Sequence, residues 1–352
     1  MTGHRSLVLH RGAARSPRAA LQRMLELVHH DTRPEDPVAE LERRIAELLG
    51  TQSALFFPSG TMAQQAVLRT YAERSGRRAF AAHPYTHLDN WEAQGYSAVH
   101  GLRFQRAGDR NALLSAAALD AVHEPVAAVV WELPQRDLGG LLPTWDDLVA
   151  QVAGAKARGA AAHLDGARLW EAQPFYRRPH AEIAGLFDSV YVSLYKGLLG
   201  VRGAVLAADT ATIEEVGVWR QRLGGRIPDA WPLALAGLDG LDRWLPRMAE
   251  FRDHAVAIAA AVNAATAAST VPDPPLTPLF HVHLPAPPAA VERAGEELLA
   301  DRDVRLFGYL RTSPDPARCS FEITVGDEAT GFSPAEVAEL IDELLARAAK
   351  HV

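Results

Sequence analysis

An apolar strand-like run, AAAHLD, carries Asp165 at its end, and a second, SVYVSLY, is followed at once by Lys196 and Gly197. A carboxylate and an amine at the ends of two strands of a parallel sheet lie where ligands bind in open α/β folds. Burial lowers a lysine's pKa and frees its amine to attack a carbonyl, forming an imine. An aspartate can keep a ring nitrogen protonated, so that the ring accepts electrons. Upstream, FFPSGTMAQ runs from strand through turn to helix. Backbone N–H groups at Gly60 and Thr61, with the Ser59 and Thr61 hydroxyls, suit a phosphate dianion. His87, in HLDNWEAQG, precedes a helical turn and could lie flat on a planar ring. Each piece alone has an ordinary reading: Ser59 as a helix N-cap, Asp165 as a turn residue, Lys196 as a solvated strand-end lysine, His87 as a capping residue. The inference rests on all four occurring in order with sheet-like spacing.

Those residues need a scaffold, and the chain supplies alternating patterns for one. Asp36-Pro37 opens a helix, VAELERRIAELL, whose apolar residues fall on one face and which Gly50 ends. ALFFP, AVVWELP, AAAHLD, SVYVSLY and GAVLAA read as strands, and WDDLVAQVAGAKARG as a helix ended by Gly159. Short apolar strands between helices argue for an α/β fold with a mostly parallel sheet covered on both faces. From about Trp219 the pattern is helical; LFHVHLP, VRLFGYL and CSFEITV then read as strands before a last helix, PAEVAELIDELLARAAK. That tail suits a smaller α/β domain with an antiparallel sheet. At 352 residues, two domains are expected. The boundaries read as an N-terminal helical segment over 1–49, packing with the small domain, a large cofactor-binding domain over 50–245 and a small C-terminal domain over 246–352. A net charge of −7 with interleaved signs argues against nucleic acid. One cysteine, the absence of a leader-like apolar run in MTGHRSLVLHRGAARS and no run long enough to span a membrane favour a cytoplasmic protein. No metal constellation stands out; His29-His30 lacks a spaced partner set. An imine lysine, a ring-nitrogen acid and a phosphate turn on one sheet suit pyridoxal 5′-phosphate.

The segments HLDGARLW, SLYKGLLG and FFPSGTMAQ resemble the threonine aldolase and aromatic β-eliminating lyase family of fold-type I pyridoxal-phosphate enzymes, whose fold is that of aspartate aminotransferase. The resemblance runs from about Asp36 to Arg226, with a weaker trace to Arg318. It implies that Lys196 forms the imine, that Asp165 partners the pyridine nitrogen and that His87 stacks on the ring. It implies further that Ser59, Gly60 and Thr61 hold the phosphate, that Arg168 and Arg318 grip the substrate carboxylate, and that Arg226 reaches the phosphate of a neighbouring subunit in a homodimer or homotetramer. A planar guanidinium can make two parallel hydrogen bonds to a carboxylate. In WELPQRDLGG, Gln135 stands where the family's threonine aldolases usually have a histidine, and a glutamine is no general base at neutral pH. Tyr195 precedes the lysine in place of a small residue, Arg33 replaces a tyrosine, and His10-Arg11 replaces an Arg-Ser-Asp segment.

The implied activity is cleavage or formation of the Cα–Cβ bond of a β-hydroxy-α-amino acid, giving glycine and an aldehyde. Catalytic work falls to Lys196, His87 and Asp165, with His87 handling the β-hydroxyl proton directly or through water; Gln135, Arg136 and Arg33 would position the substrate, with Arg11 adding a cation. Two alternatives stay open: a β-eliminating lyase or transaldolase-type synthase, and a non-catalytic binding protein of the same fold.

Overall fold

The computed structural model describes residues 4–9, 16–28, 33 and 35–352. They divide into two compact units, Leu27–Leu138 with Leu142–Leu245, and Met1–Glu26 with Gly139–Leu141 and Pro246–Val352.

The larger unit is built on a seven-stranded sheet in the order Ser53–Phe57, Ala204–Ala208, Ser189–Ser193, Ala161–Gly166, Ala128–Glu132, Ala79–Ala82, Arg103–Arg106. All strands run parallel except Ala204–Ala208, which is antiparallel to both neighbours. The expected fold class is therefore observed. Strands 128–132, 189–193 and 204–208 are buried along nearly their whole length, as a sheet covered on both faces requires. Two strands have no clear signal in the sequence: AFAA is short and made of small residues, and RFQR is a polar strand at the sheet edge.

Helix Gly60–Ser75 starts at the Ser59 cap, whose Oγ accepts from Met62 N at 3.3 Å, and ends at Gly76 with φ +69°. Its inner face packs with Phe57, Phe80, Leu88, Tyr96 and Tyr191 into one buried cluster. Burying side chains of this size stabilises by roughly 1.5–3 kcal/mol each.

Helix Asp36–Leu49 corrects the expected N-terminal segment. Its stripe of Leu41, Ile45 and Leu49 is buried, and it packs on helix Trp231–Arg243 and strand Ser53–Phe57 of the larger unit. Arg44 pairs with Asp242 at 2.6 Å across that contact. The stripe needs an apolar partner, and helix 231–243 supplies it through Gly237, where a Cβ would lie 3.5 Å from Leu41.

The smaller unit holds a four-stranded antiparallel sheet in the order Arg311–Thr312, Cys319–Thr324, Leu279–Leu284, Ser269–Val271, with helices Met248–Ala265, Pro288–Arg302 and Pro334–Ala348. VRLFGYL is not one strand: Val304–Arg305 pairs with Arg5–Ser6, and the chain then breaks before Arg311. Among the described residues no helix is long and apolar enough to cross a membrane, and no group of three or more metal-ligating side chains occurs.

Candidate active site

Strands 161–166 and 128–132 end side by side, with Glu132 in register with Asp165. Asp165 is in turn in register with Tyr191 on the next strand, which leads into Lys196. Asp165 is only 3% exposed, and its Oδ1 accepts from Ala167 N at 3.1 Å.

The Lys196 ammonium is pushed down to about 8. Desolvation contributes most and the Arg168 charge adds to it, while Asp165 and Glu132 oppose both. Gly197 leaves no room for a side chain, because a Cβ there would fall 2.7 Å from the Glu171 carboxyl carbon. Glu171 is 1% exposed, and burial pushes its carboxyl up, with Arg168 the largest opposing charge.

His87 begins the short helix His87–Asn90 and donates through Nδ1–H to Glu92 Oε1 at 2.9 Å. Burial works against its imidazolium, but the Glu92 bond and the Asp165 charge outweigh it and hold the pKa above the ordinary value. Glu92 also accepts from Gln64 Nε2 at 3.3 Å and Gln65 Nε2 at 2.9 Å, so its side chain is fixed by three partners. This lets it orient the ring.

Gln135 is buried, and its Nε2 donates to Glu132 Oε2 at 3.2 Å. The Arg136 backbone N–H donates to Glu132 Oε1 at 3.2 Å, and its guanidinium lies 5.6 Å from the Trp91 ring centre. Arg136 is also among the charges acting on Lys196. Arg168, 9% exposed, heads helix Leu169–Tyr176.

The Ser59–Gly60–Thr61 turn joins this group through Tyr191. A Cβ on Gly60 would fall 2.0 Å from the Tyr191 hydroxyl, and Tyr191 is itself buried. The helix start is thus pressed against the strand that precedes Lys196. Gly60→Ala is expected to destabilise the cofactor-free protein by about 1–3 kcal/mol, the usual cost of overpacking. Denaturant unfolding measures it; Tyr191→Leu in the same background should recover part of the loss, and an unchanged midpoint would contradict the packing.

Two expected residues of the larger unit are not drawn into this cluster. Arg33 is exposed and forms a two-pronged pair with Asp36, Nη2 to Oδ1 at 2.8 Å and Nε to Oδ2 at 3.2 Å, tying down the start of helix 36–49. Arg226 is exposed in the loop after helix Thr210–Arg222, where it adds positive charge near Arg220. Arg318 belongs to the smaller unit, exposed beside Asp315 at 3.9 Å. Arg11 lies outside the described residues.

Three groups were missed. Glu132 is pushed up to about 7 by burial and by Asp165, Glu92 holds His87, and His163 is fully buried with Nδ1 at 2.8 Å from Ser189 Oγ. Glu132 follows the apolar run AVVW just as Asp165 follows AAAHL, and that parallel was the available signal.

A desolvated lysine, a buried aspartate on the adjoining strand and a capped helix start too tight for any Cβ fit pyridoxal phosphate: an amine for its aldehyde, a carboxylate for its ring nitrogen and N–H groups for its phosphate. The fold is that of fold-type I pyridoxal-phosphate enzymes. The beta-eliminating lyase family model matches residues 14–285, and the chain belongs to that family. A crystal structure from Listeria monocytogenes EGD-E, an L-allo-threonine aldolase by assignment, superposes with a TM-score of 0.89 at 33% identity, covering 100% of this chain and 97% of that one. The chain is 30% identical over 252 residues to the low specificity L-threonine aldolase of Escherichia coli K12, covering 68% of this chain and 74% of that protein. It is 26% identical over 235 residues to a low-specificity L-threonine aldolase assigned in Schizosaccharomyces pombe. That match takes in 64% of this chain and spans 61% of the yeast protein's length. Sequence and fold are threonine aldolase-like, and pyridoxal 5′-phosphate is the cofactor such proteins carry.

Proposed function

We propose that the protein is a pyridoxal-phosphate-dependent carbon–carbon lyase acting on a β-hydroxy-α-amino acid, releasing or joining glycine and an aldehyde. The observation that carries this reading is the convergence of Lys196, Asp165, His87, Arg168 and Glu132, each among the charges acting on another, at one edge of the sheet. Bound pyridoxal phosphate supplies the electron sink for the bond that breaks at Cα.

The side chains do the rest. Lys196 offers a neutral amine at mildly alkaline pH and would hold the cofactor through it. Asp165 keeps the ring nitrogen protonated. His87, oriented by Glu92, covers the ring face. Ser59, Gly60 and Thr61 bind the phosphate, with Arg226 reaching that of a neighbouring subunit in a homodimer or homotetramer. Arg168 would hold the substrate carboxylate. Gln135 and Arg136 contact the far end of the substrate, and a cytoplasmic location goes with this reading.

The test is an assay of purified protein with pyridoxal phosphate and, separately, L-threonine, L-allo-threonine and L-phenylserine. Glycine plus the matching aldehyde is expected from at least one. Pyruvate and ammonia instead would mean β-elimination. Cofactor absorbance without any product would leave a binding protein of this fold.

A further inference from the structure

We propose that Glu132 is the carboxyl group that takes the β-hydroxyl proton of the substrate, in a site where Gln135 stands in place of a base. This rests on the carbon–carbon lyase reading above and deepens it.

The geometry comes first. Glu132 and Asp165 are register partners on adjacent parallel strands, so their side chains leave the same end of the sheet on the same side. Glu132 is held at both oxygens, by Arg136 N on Oε1 and Gln135 Nε2 on Oε2, each at 3.2 Å. Gln135 Nε2 also lies 3.5 Å from the Tyr85 carbonyl. The glutamine cannot move a proton, but it aims a group that can. Glu132 keeps some accessible surface, unlike the sealed Glu171.

Electrostatics agree with that placement. The groups facing Glu132 are Asp165 on the next strand, Asp137 in its own following turn, His87 on helix 87–90 and Lys196 in the turn after strand 189–193. A second carboxylate nearby disfavours ionisation of Glu132. Burial and the Asp165 charge thus bring Glu132 close to neutrality, where a general base works best.

The step balances. The Glu132 carboxylate takes the hydroxyl proton, and the O–H electron pair becomes the second bond of the aldehyde carbonyl. The Cα–Cβ bond breaks and its pair stays with Cα; Cα takes one proton from solvent to give glycine, and Glu132 returns the hydroxyl proton to solvent.

The experiment compares wild type, Glu132→Gln and Glu132→Asp in pH profiles of kcat and KM, with an infrared titration of the cofactor-free protein. Wild type should lose kcat as pH falls through about 7, because protonated Glu132 is no base. Glu132→Gln should lower kcat on the order of 10²–10³-fold with KM little changed, and remove that acid limb. Glu132→Asp should keep a shifted limb. A protonated-carboxyl band should titrate near the same pH in wild type and vanish in Glu132→Gln, which reads the group itself without turnover. Gln135→His in the Glu132→Gln background should restore part of the rate. An acid limb that survives in Glu132→Gln, a rate within about threefold of wild type, or a uniform loss with the limb in place would overturn the proposal. Should Glu132→Gln fail to fold, Glu132→Asp and the infrared band decide it. Failure of wild type to release glycine and aldehyde would overturn the lyase reading instead.

Discussion

Lys196→Ala is expected to abolish the near-visible absorbance of lysine-bound cofactor and to lower turnover by 10⁴-fold or more, about the loss seen when a covalent nucleophile is removed. The amine is neutral at mildly alkaline pH because burial and Arg168 push its pKa down to about 8. The same substitution has a signature without cofactor. Between pH 8 and 10.5 the unfolded chain binds a proton at this lysine that the folded chain does not, so stability rises with pH across that window. Unfolding midpoints from pH 7 to 10.5 should lose that rise in Lys196→Ala. A variant that kept both absorbance and turnover would remove Lys196 from the mechanism.

Asp165→Asn should leave cofactor bound yet lower kcat about 10²–10³-fold, the range for deleting one preorganised electrostatic partner. Asparagine keeps the shape and the acceptor for Ala167 N, so the turn survives. What disappears is the charge. Three neighbours should report that loss: His87 and Lys196, whose charged forms Asp165 favours, should titrate lower, and Glu132, whose ionisation Asp165 opposes, should also titrate lower. NMR titration of His87 is the most direct check. Normal kcat with unshifted His87 would mean that Asp165 neither charges the ring nor belongs to this electrostatic group.

Much of the site was legible before any coordinates. Asp165, Lys196, His87 and the Ser59–Gly60–Thr61 turn each announce themselves by following an apolar run or opening a helix, and these local patterns survive folding unchanged. Arg33 shows where this kind of reading stops. Standing where the family has a tyrosine, it reads as a substrate contact, but Asp36 lies three residues on and pairs with it at the start of a helix. Strands 79–82 and 103–106 were invisible because small or polar residues carry no period, and only pairing with strand 128–132 and with each other defines them.

The sequence alone determined the α/β class, the order of acid and amine along the sheet and the cofactor, because apolar runs must be buried and each run ends on a polar residue at a known edge. The tertiary structure decided which polar groups share a dielectric. Glu132 and Asp165 are 33 positions apart in the chain and become neighbours only through strand pairing. That strand pairing, with burial, turns Glu132 and Lys196 into groups that titrate near neutrality. Charge interactions depend on distance in space and on excluded water, and a linear sequence specifies neither.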